Sequence, residues 1–210
     1  MMATASRWRA LLPAEQEDVR MEKTLERREE QRARHLRCLV LTALLAAMTC
    51  VATLVIRVPS PTNGYMNLGD AVVLLGAYLL GPGWGAAAGG IGAAMADLLG
   101  GYPMYVPATL LIKAVMAVVA AGLYRLLGRR GGWTLVVCGA AAEVPMVLGY
   151  WLFDALLATS GGQAFGLALA GTAAGIPSNL VQAVFGAAAS TALAAALGKS
   201  AYVRRAFPGL

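Results

Sequence analysis

Polar and apolar positions along this chain separate into long blocks. From Cys38 onward, runs of Leu, Val, Ala and Gly follow one another, broken by short polar or Gly/Pro stretches. The blocks cover residues 38–56, 69–80, 84–99, 106–127, 133–157 and 165–197, and each is predicted to be a helix. Residues 63–113 show the pattern best. Two apolar runs meet at a Gly81-Pro82-Gly83 turn, and no charge lies between Asp70 and Asp97. Such a segment belongs in a bilayer, where a charge in mid-span costs about 3 kcal/mol or far more. A helix needs about 20 residues to cross the hydrocarbon core. The second and third blocks fall short of that, so they rest on neighbours or do not cross fully. The last block is too long for one straight crossing, and Gly175-Ile176-Pro177 is predicted to break or kink it.

Composition agrees with the pattern. Hydrophobic residues make up 59% of the chain and charged residues 13%, far from the balance of a soluble domain. The expected fold class is an all-α membrane protein. The net charge of +6 invites a nucleic-acid partner, but the bases flank apolar blocks, where lipid topology places them. With the amino end inside, the inner segments hold Arg34 and Arg37, then Arg125, Arg129 and Arg130, then Lys199, Arg204 and Arg205. The outer loops hold Arg57 alone. That asymmetry predicts six transmembrane helices with both termini cytoplasmic, and no nucleic acid.

Three regions follow: a charged cytoplasmic tail (1–37), a six-helix domain (38–198) and a basic cytoplasmic end (199–210). The tail contains seven of the eleven acids, Glu15, Glu17, Asp18, Glu22, Glu26, Glu29 and Glu30. Residues 14–37 are rich in Glu and Arg and lack Gly, which predicts a solvated helix. The amino end has no signal-peptide pattern, Met21 offers a second start, and the tail is assigned no chemistry.

Catalytic signals are missing from the sequence. Cys38, Cys50 and Cys138 are isolated and have no metal-ligand spacing. His35 stands alone in a basic flank, which excludes a histidine-based site inside the membrane. Gly198-Lys199-Ser200 imitates the end of a nucleotide-binding loop, but Leu193 stands where that loop needs glycine and no strand precedes it. Neither an enzyme activity nor a cofactor is expected.

The acids outside the tail are Asp70, Asp97, Glu143 and Asp154. With Lys113, Asn179 and Gln182 they lie at mid-depth or in the outer half of the predicted spans. A proton or ion path needs polar steps through both leaflets, whereas a cavity open to the outside needs them in one. Each residue has two readings. Asp97 and Lys113 form a structural ion pair or contact a ligand. Glu143 is a protonated acid bonded within the bundle or a ligand contact. Asn179 and Gln182, one turn apart on one face, are interhelical glue or pocket wall. Tyr102 and Tyr105 belong to an interfacial aromatic belt or to the pocket, while Tyr150, set deeper, is read as pocket wall. Small residues form packing faces: Gly85, Gly89, Gly92 and Ala96 in the third block, and Ala43, Ala47 and Val51 in the first.

Several blocks together resemble the substrate-binding S components of energy-coupling factor (ECF) vitamin transporters, in the riboflavin-type or hydroxymethylpyrimidine/pyridoxine-type branch. They are Gly64-Tyr65-Met66-Asn67-Leu68-Gly69-Asp70, Gly89-Gly90-Ile91-Gly92, Ala96-Asp97-Leu98, Gly101-Tyr102-Pro103, Ile112-Lys113 and Ile176-Pro177-Ser178-Asn179-Leu180-Val181-Gln182. The likeness covers about residues 38–198; the charged tail lies outside it. It implies a six-helix fold with an outward-facing vitamin pocket, in a multi-pass protein of the bacterial cell membrane. It also implies partners: a transmembrane coupling subunit and two cytoplasmic ATPases. Ala43, Ala47 and Val51 resemble the family's docking surface. The expected substrate-binding set is Asn67, Asp70, Asp97, Tyr102, Lys113, Glu143, Tyr150, Asn179 and Gln182. The ligand expected is pyridoxine, hydroxymethylpyrimidine or riboflavin, with the few aromatics favouring a small ring. The rival readings are a self-sufficient secondary transporter, which needs polar groups in the inner leaflet, and a non-catalytic membrane scaffold.

Overall fold

The computed structural model describes the backbone of residues 3–59, 65–128 and 132–207, and side chains from Arg20 onward within those ranges. Gly64, Arg129 and Arg130, used above, lie outside the described residues, as do the side chains of residues 1–19. The chain divides into two compact units, 1–40 and 41–210.

Helix α1, Ala3–Val55, runs through the boundary between them. In the first unit its described side chains are almost all exposed, and Arg34 pairs with Glu30 one turn away at 3.5 Å. A surface pair of that kind contributes little.

The second unit carries the remaining elements. Two short strands, β1 (Arg57–Pro59) and β2 (Tyr65–Asn67), form an antiparallel hairpin in which Arg57 faces Asn67. Helices α2 (Gly69–Leu80) and α3 (Pro82–Gly100) follow. A single 3-10 turn, Pro103–Tyr105, leads into α4 (Val106–Leu126). Helix α5 (Gly132–Ser160) contains Pro145. Helices α6 (Phe165–Thr172) and α7 (Ile176–Leu197) are separated by a 3-10 turn at Ala173–Gly175, where the sequence predicted a break. A short α8, Ala201–Ala206, ends the described chain. The architecture is helical, as expected; the hairpin is an addition.

Local chemistry explains the boundaries. Gly81 adopts φ +82, a left-handed conformation that favours glycine. Pro82 then opens α3, where a missing N–H costs nothing. Gly101, at φ +87, closes α3 by donating its N–H to the Asp97 carbonyl.

Among the described residues, four segments are long and apolar enough to cross a membrane: Arg20–Val55, Pro103–Leu126, Gly132–Ser160 and Phe165–Leu197. Helix α2 is shorter and rests on its neighbours, with ten of its twelve residues buried. The core forms where α2, α4, α5 and α7 meet, around Leu74, Met116, Cys138, Met146 and Ala183.

The membrane-length part of α1 has two unlike faces. Thr42, Leu45, Thr49 and Thr53 are buried, at spacings that put them on one side of the helix. Leu45 packs with Val72 of α2 and Ala88 of α3. A Cβ on Gly92 would stand 2.3 Å from the Ala46 carbonyl oxygen, so glycine is what lets α3 approach α1 this closely. Ala43, Ala47 and Val51 lie on the other side and are exposed.

Candidate functional site

Polar side chains collect at the end of the bundle formed by β2, the end of α3, the start of α4, the second half of α5 and the start of α7. They surround a cavity lined by Tyr65, Asn67, Asp97, Tyr102, Tyr105, Thr109, Tyr150, Asp154, Asn179 and Gln182. Its free volume is about 30 Å³, on the order of room for one or two water molecules.

The wall is a set of tyrosines with anchored hydroxyls. Tyr65 donates to Asp97 Oδ1 at 2.7 Å, Tyr105 to Asp154 Oδ1 at 2.7 Å, and Tyr150 to Thr109 Oγ1 at 3.1 Å. Burial, reinforced by the bond to Asp97, holds the Tyr65 phenol above its ordinary pKa, so it remains a donor. The rings also touch each other: Tyr65 and Tyr102 have centroids 4.9 Å apart, Tyr102 and Tyr105 6.3 Å. Arg57 stacks its guanidinium 5.1 Å from the Tyr65 ring and donates to the Gly100 carbonyl at 3.3 Å, at the negative end of α3.

Below this wall lies a layer almost entirely shut off from solvent. Asp70 is 0% exposed, and Lys113 and Glu143 are 2% exposed. Lys113 forms its ion pair with Asp70. Gln182 links the two layers. Its Nε2 donates to Asp70 Oδ2 at 2.6 Å, and its Oε1 accepts from the Asn67 backbone N–H at 2.7 Å. The Asn67 side chain in turn accepts from the Gly69 N–H at 2.8 Å, fixing the hairpin to the start of α2. The Lys113 ammonium also lies 5.1 Å from the centre of the Tyr150 ring.

The predicted residues thus fall into two groups. Asn67, Asp97, Tyr102, Tyr150, Asn179 and Gln182 line the cavity. Asp70, Lys113 and Glu143 sit behind it. The structural pairing expected between Asp97 and Lys113 is corrected: Lys113 takes Asp70, and Asp97 is served by Tyr65. The physical reason is that α2 begins inside the bundle, so its first-turn acid reaches α4. The predicted binding set omitted Tyr65, Tyr105, Thr109 and Asp154. Tyrosines and Asp154 at this level of the chain were visible in the sequence, but Thr109 gave no signal of its own. Among the described residues, no group of three or more His, Cys, Asp or Glu side chains could hold a metal ion.

A family model described as ECF-type riboflavin transporter, S component, matches residues 34–199. The chain belongs to that family. The resemblance read from the sequence blocks therefore holds, and this S component is a membrane protein of a transporter family rather than of an enzyme family. It is 37% identical over 101 residues to an uncharacterized protein of Pyrococcus woesei; the match spans 48% of this chain and 66% of that protein, just under two thirds. A solved structure of the S component of a bacterial ECF transporter superposes with a TM-score of 0.62 at 20% identity, covering 78% of this chain and 96% of that one. At that identity the likeness is one of fold.

Proposed function

We propose that this S component is the substrate-capture subunit of an ECF-type importer. It takes a vitamin or vitamin precursor with a polar heteroaromatic ring, such as pyridoxine, hydroxymethylpyrimidine or riboflavin. One observation supports this above the others: hydrogen-bonding and aromatic side chains from five separate elements converge on one cavity in a helical membrane protein of this family. Tyr150 and Tyr102 offer ring faces, while Asn67, Asp97, Asn179 and Gln182 offer donors and acceptors. Asp70 acts from behind through Gln182, with Lys113 as its ion-pair partner and Glu143 packed close by. The cavity is far below the roughly 300–1,000 Å³ of an occupied ligand site, so a ring enters by displacing tyrosines of the wall, and the smaller rings displace fewer.

The protein sits in the bacterial plasma membrane, crosses it six times and keeps both ends in the cytoplasm. Delivery is driven by a transmembrane coupling subunit with two cytoplasmic ATPases. The exposed Ala43, Ala47 and Val51 face of α1 is where the coupling subunit docks, since small residues let helix backbones approach closely in lipid.

The test of capture is titration of the purified, detergent-solubilised protein with pyridoxine, hydroxymethylpyrimidine and riboflavin in turn, read by tryptophan fluorescence. Trp151, held by the Leu169 carbonyl at 3.0 Å, follows Tyr150 in the sequence and is the expected reporter. Saturable binding of one of them is expected; no saturable binding of any would overturn the reading. For docking, bulky residues at Ala43 and Ala47 are expected to abolish cellular uptake and preserve binding by the purified protein. Lost binding would instead make that face part of the bundle's own packing.

A further inference from the structure

Glu143 stands apart from the other buried acids. Asp70, Asp97 and Asp154 each accept a hydrogen bond from a named side chain. Glu143 is 2% exposed, yet neither of its carboxyl oxygens has a hydrogen-bond partner. It is pressed against α7, where a Cβ on Gly186 would come 2.6 Å from Oε1 and 2.8 Å from the Asp70 Cβ, so the glycine makes room for this acid beside Asp70. The groups facing Glu143 can be named element by element. Helix α2 presents Asp70 and Tyr78, and α4 presents Lys113. Helix α7 presents Gly186, which does not titrate. The Tyr78 hydroxyl is committed to the Leu135 carbonyl at 3.0 Å.

We propose that Glu143 is a proton-binding site. It holds its proton at neutral pH and, by staying uncharged, reserves Lys113 for Asp70. That exclusivity keeps the Asp70–Gln182–Asn67 chain, and the cavity wall it carries, in place. The charge balance requires this assignment. The layer holds one ammonium and two carboxyls, so ionising both leaves a buried negative charge with nothing to compensate it. An acid in that position takes up a proton instead. A metal cation is the poorer occupant, because the Lys113 ammonium already fills the cationic role beside Asp70.

The consequence of losing the proton is directional. Glu143–COOH becomes Glu143–COO⁻, the proton leaves to bulk buffer, and Lys113 keeps its own protons but is now shared between two carboxylates. Asp70 then loses its exclusive partner, and the bonds from Gln182 to Asp70 and from Asn67 to Gln182 loosen. If the proposed vitamin capture is right, ligand affinity falls as pH rises, because ligand and proton favour the same arrangement. Only that last step rests on the proposed function.

The test therefore needs no ligand. Infrared difference spectra of the purified full chain, titrated from neutral to alkaline pH, report the carbonyl stretch of a protonated carboxyl group. Hydrogen exchange of the peptide containing Asn67, corrected for the intrinsic rate at each pH, reports the Asn67–Gln182 bond. Wild-type protein is expected to show the protonated-carboxyl band at neutral pH and to lose it, together with Asn67 protection, on alkalinisation. Glu143→Gln is expected to lack the band and to keep its protection across the range. Asp70→Asn frees Lys113 for Glu143, so in that variant the band is expected to be absent already at neutral pH. It serves if Glu143→Gln does not fold. Absence of the band in neutral wild-type protein overturns the proposal, as does an unchanged band in Asp70→Asn. An equal loss of protection in Glu143→Gln overturns it too. Sodium-dependent protection at constant pH would replace the proton with a cation. Vitamin titration that succeeds while these spectra fail removes this inference and leaves the proposed function standing.

Discussion

The two polar layers of this molecule use similar residues under opposite constraints. In the cavity wall, the Tyr65, Tyr105 and Tyr150 hydroxyls each bond one neighbour and border the cavity. In the layer beneath, Asp70 and Lys113 have no open side at all. A wall residue that loses its partner can turn toward the cavity, but a buried ion that loses its partner has nowhere to go. On the proposed function, the lower layer governs whether the chain folds and the upper layer how well it binds, with Gln182 bonded into both.

The sharpest way to break that distinction is at the ion pair. Lys113→Met should destabilise the protein by about 3–5 kcal/mol, because it leaves Asp70 buried and uncompensated. Adding Asp70→Leu should recover most of that loss, and adding Asp97→Leu should not. Thermal unfolding of the three variants in detergent checks both expectations, and rescue by Asp97→Leu would reassign the pair. The next largest effect is expected at the linking residue. Gln182→Ala removes a hydrogen bond to a charged group, worth about 1.5–3 kcal/mol, and should lower both melting temperature and vitamin affinity, the latter by roughly ten- to a hundredfold. Unchanged stability with reduced affinity would place Gln182 in the upper layer alone.

Smaller effects are expected within the wall. Tyr150→Phe gives up the bond to Thr109 and keeps the ring. Its cost should be about 0.5–1.5 kcal/mol in affinity, with little change in unfolding temperature. Asn179→Ala should be mildest, at most about tenfold in affinity, since among the described contacts Asn179 lines the cavity without tying two elements together. Fluorescence titration of both variants measures this. An Asn179→Ala protein that unfolds more readily than Lys113→Met would reverse the order of the layers.

Much of this arrangement was legible in the sequence, because polar residues in an apolar background announce themselves. Gly69–Leu80 was read to the residue, since turn chemistry flanks it on both sides. The 3-10 break before Ile176 was marked by glycine and proline. The first helix was underestimated, because Glu and Arg in its first half hide its continuity with the apolar half. The β1–β2 hairpin was missed, since three-residue strands carry too few positions for an alternating pattern. Six of the nine predicted binding residues line the cavity, but sequence depth could not tell wall from interior. Nor could it choose the partner of Lys113. Two acids were in reach along the chain, and the decision is made by where α2 starts, a tertiary fact. Thr42, Thr49 and Thr53 show the same limit. They fill the inward face of α1, yet read in sequence as unremarkable members of an apolar run.

The length of α2 bears on how the chain is made. Twelve residues span about 18 Å at 1.5 Å each, well short of a hydrocarbon core of about 30 Å. A segment of that length cannot span the core by itself, and α2 is joined to α3 through Gly81 alone. It carries Asp70, whose compensating Lys113 is synthesised 43 residues later and whose second donor, Gln182, 112 residues later. Until both have emerged, Asp70 lacks the two side-chain partners it has in the folded chain. The second of the apolar blocks therefore completes its contacts only after α7, nearly the last, has been synthesised.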